Sequence, residues 1–393
     1  MDVRVYWLWL QRALGPGNLR ARRLLTRFSD IRALYEASRG ELQEAGIAGA
    51  ELKRLCDKET AADRLLLDSL LTAGAWLLTP DDAYYPTVLF GIPDPPLVLY
   101  GLGEMPDLEH MAVMGMVGTR KSSEEGANTA RGLAFSFARH GMIVVSGGAV
   151  GIDAASHEGA LRAGGRTIAI QACGLDIDYP HDNSGLRRQI LASGGALLTE
   201  YPLGTPPNKY RFPVRNRLIS GLSAGVCVVE APARSGALIT ARLALEQGRD
   251  VFAVPGGIHD INSEGANSLI KQGARLITSA DEVLEEYRQR FPDIMIKEPP
   301  VRQAVFDRED APAGRVAAET KKAASPVPCP ADATAEERMV YRALLGNETA
   351  LSLDDLAART GLPAARLLAC LTLLEMKGSA RALPGRQYAL VCN

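Results

Sequence analysis

The spacing of hydrophobic positions changes character along this chain. Over residues 1–75, Leu24, Leu25, Phe28, Ile31 and Leu34 recur at helical spacing, so the segment reads as short helices. From about 110 to 287, compact apolar runs alternate with amphipathic stretches. The runs at 112–117, 142–146, 167–172, 196–200, 226–230, 250–254 and 275–278 are strand candidates. Between them, Ala130, Leu133, Ala134, Phe137 and Ala138 share one helical face. Such alternation predicts βαβ units, a mostly parallel α/β sheet of extended Rossmann-like type, and ligands at the carboxyl ends of its strands. Residues 333–393 give three helical stretches and a hairpin-like end at 380–390, the order expected of a winged helix.

The interruptions divide the chain. Tyr84-Tyr85-Pro86 and Pro93-Asp-Pro-Pro96 mark a packed connector over 76–109, ahead of an α/β domain at 110–290. Pro, Ala and charged residues without periodicity make 291–332 a linker. The domains expected are therefore 1–75, 110–290 and 333–393.

Composition narrows the class. The 47% hydrophobic and 23% charged content over 393 residues is that of a soluble globular protein, and no apolar run approaches a membrane span. No cleaved-signal pattern opens the sequence. Six scattered cysteines without a C-x-x-C pair suit a reducing cytoplasm and argue against zinc or a disulfide framework. With a net charge of −2, any polyanion must be held by local patches. Residues 1–40 carry eight arginines against three acids, and 202–223 carry four cations against none. Within the first patch, Leu14-Gly-Pro-Gly-Asn-Leu19 suits either a phosphate-binding helix-hairpin-helix turn or a plain helical cap. The second winged-helix stretch of interest, the candidate recognition helix at 363–377, is mostly Leu and Ala. Seven cations against six acids over 333–393 give that module little attraction for phosphate.

Chemistry concentrates in 202–223. Lys209, Arg211, Arg215 and Arg217 alternate with Tyr210 and Phe212. Such a run suits an unpaired nucleic-acid strand, where cations neutralise phosphates and a ring receives a base. It equally suits a basic loop closing a small nucleotide pocket. Four strand-to-loop turns add donors: Gly118-Thr119-Arg120, Gly147-Gly148 within 146–153, Arg234-Ser235-Gly236, and Pro255-Gly-Gly257. The dinucleotide fingerprint and the P-loop are absent, as are a serine elbow and histidine metal spacing, so neither a cofactor nor a metal is expected. Glu200 and Glu230 are possible acid–base groups, or carboxylates paired with cations such as Arg217 and Arg234. Asp153 reads as a helix cap or a ligand orienter.

Residues 118–274 resemble the DNA-processing protein A (DprA, or Smf) family. The resemblance rests on Gly118-Thr-Arg120, Ser146-Gly-x-Ala-x-Gly-Ile-Asp153, Cys173-Gly-Leu-Asp176 with Tyr179-Pro180, Thr199-Glu-Tyr-Pro202 and Phe212-Pro-x-Arg-Asn-Arg-x-Ile-x-Gly-Leu-Ser223. It continues through Ser235-Gly-Ala-Leu-Ile-Thr240, Glu246-Gln-Gly248, Val251-Phe-Ala-Val-Pro-Gly256 and Asn267-x-Leu-Ile270. Val150 stands where many members carry arginine, Ala266 replaces a frequent threonine or serine, and Glu125 a frequent tyrosine. The resemblance implies a non-enzymatic homodimer that binds and protects single-stranded DNA and loads the RecA recombinase in natural transformation. Family DNA contacts fall on Arg120, Lys209, Phe212 and Arg215. Backbone donors at Gly118, Gly147, Gly148, Ser235 and Gly236 complete the expected site, and Arg211 and Arg217 either assist or brace the loop. The competing expectation is a nucleotide hydrolase. Pro255-Gly-Gly257 echoes its P-G-G signature but lacks the Gly-Thr and Glu that follow there.

Overall fold

A computed structural model describes residues 2–291, 330, 333–345, 351–377, 379–383 and 387–390. The linker expected at 291–332 lies almost wholly outside them. Two compact units divide the chain at 303/304.

Six helices open the first unit: α1 (Val3–Leu14), α2 (Arg20–Arg27), α3 (Ile31–Glu36), α4 (Arg39–Glu44), α5 (Gly49–Cys56) and α6 (Ala61–Thr72). Asp2 caps α1 by accepting from the Arg4 N–H. Helix α1 is buried nearly all round, with Trp9 and Leu10 fully enclosed. That explains its unbroken apolar run and makes it the centre of the bundle.

A nine-stranded sheet follows in the order β1-β2-β6-β5-β4-β3-β7-β8-β9. Its strands are β1 (Trp76–Leu78), β2 (Leu99–Gly103), β3 (Val113–Val117), β4 (Ile143–Ser146), β5 (Thr167–Ile170), β6 (Ala196–Thr199), β7 (Gly225–Val228), β8 (Asp250–Ala253) and β9 (Arg275–Leu276). Strands β3 to β9 pair in parallel, and the central ones are buried on both faces, as crossover helices require. The stretch read as a connector instead supplies two antiparallel strands, which extend the sheet beyond β6. Their signal was weak because they are short and set among Pro and Gly. Trp76 lies flat over Gly101 on the next strand, where a Cβ would come within 2.1 Å of the ring.

The crossovers are α7 (Glu124–Arg139), α8 (Ile152–Arg162), α9 (Ser184–Ala192), α10 (Arg211–Leu222), α11 (Gly236–Glu246), α12 (Glu264–Lys271) and, after β9, α13 (Asp281–Tyr287). From β3 the chain winds outward through β4, β5 and β6. Helix α10 then carries it back to β7 on the other side of β3. The loops leaving β3 and β7 thus diverge at a topological switch point, the usual ligand crevice of such sheets.

The second unit contains α14 (Ala335–Leu344), α15 (Leu353–Thr360) and α16 (Ala364–Met376). A three-stranded antiparallel sheet of β10 (Leu351–Ser352), β12 (Gln387–Leu390) and β11 (Ala380–Leu383) completes a winged helix. A Thr334–Glu337 capping box starts α14, and Val340, Leu356, Leu367 and Leu374 form its small core.

Candidate nucleic-acid interface

The carboxyl ends of β3 and β7 open into a cleft of about 280 Å³. Gly118, Thr119 and Arg120 form one wall, and Arg234, Ser235, Gly236 and Thr240 the opposite one. Phe212, Arg215 and Asn216 line it from α10, and Ala149 and Asp153 from the start of α8. A smaller cavity of about 50 Å³ adjoins it, bounded by Gly147, Gly148, Gln171, Cys173, Tyr179 and Asn183; Arg120, Ala149 and Phe212 touch both.

Phe212 is the hinge of this arrangement. Its half-buried ring lies with the Arg120 guanidinium 4.7 Å from its centroid and the Tyr179 ring 6.0 Å away at 50°. Arg120 is exposed, so its charge faces solvent while its plane supports the ring. Lys209 is also exposed and lies 5.0 Å from the Tyr210 ring. It stands on the approach to α10 rather than in the cleft wall. Tyr210, 72% exposed, adds a second ring to that approach. Arg211 donates to the Pro206 carbonyl and sits over the Tyr201 ring, bracing the loop.

Two arginines of the expected site are buried. Arg215 is buried, with only 4% exposure. It donates to the carbonyls of Gly147 (2.6 Å) and Ile170 and to Asn216 Oδ1. Its guanidinium therefore ties the ends of β4 and β5 to α10 and lends the cleft positive potential from beneath. Burial disfavours its charge and lowers its pKa, opposed only in part by Asp153. Arg217 is turned away from the cleft altogether. At 3% exposure it bridges Asp94 through Nε (2.8 Å) and Glu200 through Nη2 (2.8 Å). Burial works against this charge too, but the two carboxylates push its pKa up.

Two glycines of the expected site are set in closely packed turns. Gly118 and Gly147 are glycines because of close approach: a Cβ would meet Ile152 at 2.5 Å in the first case and Arg215 Nη1 at 2.4 Å in the second. Gly151, at φ 81°, is the N-cap of α8 and no side chain caps the helix, so of the two readings of Asp153 the cap is not the one formed. Asp153 is buried one position inside the helix and accepts from the Ala149 N–H at 3.4 Å. Burial raises its pKa, opposed by Arg215. The Ile152 N–H donates to the Thr119 carbonyl. The first N–H of α8 is therefore engaged by the loop that follows β3. At α11, Ser235 Oγ accepts from the Ala237 N–H, while Gly236 is exposed at the cleft edge.

Both candidate acids are engaged by protein partners. Glu200 is held by Arg217, as one sequence alternative had it. Glu230 accepts from Ser123 N (2.9 Å) and Oγ (2.7 Å), starting α7, and does not pair with Arg234. Sequence reasoning passed over Tyr179 and Asn183 as site residues. Tyr179 had a signal, since it sits in the Tyr-Pro that follows Cys173-Gly-Leu-Asp176. Asn183, which donates to the Gly148 carbonyl at 3.0 Å, had none.

Half of the eight arginines in the N-terminal patch are paired locally, while Arg22, Arg23, Arg32 and Arg39 are exposed. Arg4 pairs with Asp2, Arg12 with Asp57 and Asp63, Arg20 with Glu51, and Arg27 with Glu44. In the winged helix, the outer face of α16 carries Arg366, paired with Glu336, beside exposed Leu368 and Leu373. That surface has little with which to read bases. Among the described residues, no helix is long and apolar enough to cross a membrane.

Comparison with known proteins agrees with this architecture. A model of the DNA recombination-mediator protein A family matches residues 76–288, and one of the DprA winged helix domain matches 323–386. A putative DNA processing protein DprA from Mycobacterium tuberculosis is 34% identical over 393 residues, covering 97% of this chain and 92% of that one. The DNA processing protein DprA of Bacillus subtilis is 46% identical over 206 residues, 52% of this chain and 69% of its own length. The crystal structure of DNA processing protein A from Streptococcus pneumoniae aligns with a TM-score of 0.63 at 34% identity, covering 73% of this chain and 98% of that one.

Proposed function

The chain belongs to the DNA recombination-mediator protein A family, and on that premise we propose that it is a non-enzymatic, sequence-tolerant binder of single-stranded DNA. It would protect the strand and deliver it to the RecA recombinase, acting as a homodimer in the cytoplasm. The observation that carries the proposal is the Phe212 ring, half-buried at the cleft and backed by the Arg120 guanidinium at 4.7 Å. A base stacked on the exposed part of that ring meets a flat surface next to a cation, a combination that accepts any base because every base has a π-face. Arg120 and Lys209 neutralise phosphates directly. Arg215 contributes charge from below the cleft floor, and Gly118, Gly147, Gly148, Ser235 and Gly236 shape the backbone around the strand. Arg217 serves the fold. The recombinase and dimer roles rest on the family resemblance.

The nucleotide-hydrolase reading loses its chemistry, since Glu200 and Glu230 are engaged by Arg217 and Ser123. The deciding experiment is anisotropy titration of labelled oligo-dT of about 35 nucleotides against wild type and Phe212→Ala, with duplex of equal length as competitor. A loss of about 1–3 kcal/mol in the variant is expected from one stacked base. Unchanged affinity in Phe212→Ala would remove the stacking role, and free base released from nucleoside monophosphates would establish the hydrolase instead.

A further inference from the structure

The turn that joins α1 to α2, read from the sequence as a possible phosphate clasp, faces inward. Gly17 has φ +72°, and a Cβ there would lie 3.0 Å from Val214 Cγ1, 3.5 Å from Asp94 Oδ2 and 3.6 Å from Arg217 Nε. The turn is thus seated on α10, at the ion triad of Asp94, Arg217 and Glu200. Helix α1 adds a second tie, since Gln11 Nε2 donates to the Glu200 carbonyl at 3.1 Å.

The register of α10 gives this seat a consequence. Phe212 and Arg215 are three residues apart and share the stripe that lines the cleft. Val214 and Arg217, also three apart, share another. Two residues of helix turn through about 200°, so the stripes lie on opposite sides of α10. On its cleft side the start of α10 is held by Arg215, which donates to the Gly147 and Ile170 carbonyls. Its N-cap, Tyr210, makes no side-chain capping bond, and the chain ahead of it, at 208–210, is exposed. The position of its first turn is therefore set from both sides, the far one being the Gly17 turn and the ion triad.

We propose that Arg217 is a positioning residue. With Asp94, Glu200 and the Gly17 turn it fixes α10 so that Phe212 presents its ring to an unpaired base, which makes the N-terminal helical domain part of the DNA-binding apparatus without touching DNA. The inference rests on the stacking role of Phe212. It accounts for a buried ion triad whose desolvation a merely structural site could avoid with apolar side chains. It also accounts for a hairpin turn that points at protein rather than solvent. A ring held in its binding pose loses less ordering entropy when the strand arrives.

The test is a double-mutant cycle on the full chain, read by anisotropy with labelled oligo-dT. Gly17→Ala pushes on Val214 from the N-terminal side. Arg217→Lys keeps the charge but cannot reach both carboxylates with separate nitrogens, and it covers the case in which the first variant misfolds. Each is expected to weaken binding about tenfold in the wild-type background and less than about twofold in a Phe212→Ala background, because both act through that ring. Thermal unfolding run alongside reports any general loss of stability, which by itself produces no such non-additivity. An equal loss in both backgrounds, or no loss in either, would overturn the positioning role. If Phe212→Ala alone leaves affinity unchanged, it is the stacking premise that fails, and the cycle identifies that failure separately.

Discussion

His157 allows a stability prediction to be worked from hydrogen-bond directions alone. It is fully buried on α8, and its Nδ1 lies 2.7 Å from Thr167 Oγ1. The Thr167 hydroxyl already donates to the Val144 carbonyl at 2.7 Å, so towards the histidine it can only accept. The ring is therefore the Nδ1–H tautomer, and Nε2 is a bare acceptor in the core without a partner. Protonation would create a charged, unpaired N–H there. Burial, with a smaller contribution from Arg215, accordingly lowers the pKa from 6.5 to about 3. The unfolded chain binds this proton near its ordinary pKa and the folded chain does not. Stability is thus complete above 6.5 and is lost as pH falls towards 3. Between about pH 7.5 and about pH 5, this group alone removes about 2 kcal/mol. The assay is urea unfolding followed by tryptophan fluorescence, since Trp7, Trp9 and Trp76 all lie in the first unit. His157→Gln keeps a donor for Thr167 and cannot titrate. Other ionisable groups, including Asp153, act equally in both proteins and cancel in the difference. Wild type should lose about 2 kcal/mol more than the variant on acidification, and parallel curves would refute the assignment.

Two further measurements bear on the site and the packing. In the proposed binding mode, with Arg215 and Arg217 buried, direct side-chain phosphate contacts reduce to Arg120 and Lys209. The log–log dependence of single-strand affinity on salt should then have a slope near about −1.4 per protomer, and a slope steeper than about −3 would mean that more cations reach the strand. Gly159 lets α8 lie against α7, since a Cβ there would fall 2.2 Å from the Arg131 carbonyl oxygen. Gly159→Ala should therefore cost about 1–3 kcal/mol in urea unfolding despite the better helix propensity of alanine, and a neutral or stabilising result would show that the two helices separate freely.

Much of the architecture could be read from local pattern. Apolar runs of four or five residues recurring between amphipathic stretches imply crossovers, and crossovers imply a parallel sheet with its ligands at the carboxyl ends. All seven strands expected on that basis form, each within one to two residues of its expected limits. The glycine loops and the alternation of cations with rings at 209–217 were equally visible, because they depend on residue type and order. What local pattern could not reveal was the direction in which each side chain of α10 points. Arg215 and Arg217 look alike in sequence, two residues apart in one basic run. The helix sends one beneath the cleft floor to backbone carbonyls and the other to Asp94 and Glu200, residues 123 and 17 positions away. The same limit applied to β1 and β2, whose pairing depends on a distant edge strand, and to the Gly17 turn, whose partner is a helix about 200 residues further along the chain. Composition and spacing determined which residues could bind a nucleic acid. Only long-range packing decided which of their charges stay free to do so, because burial and partner choice are properties of the folded chain as a whole.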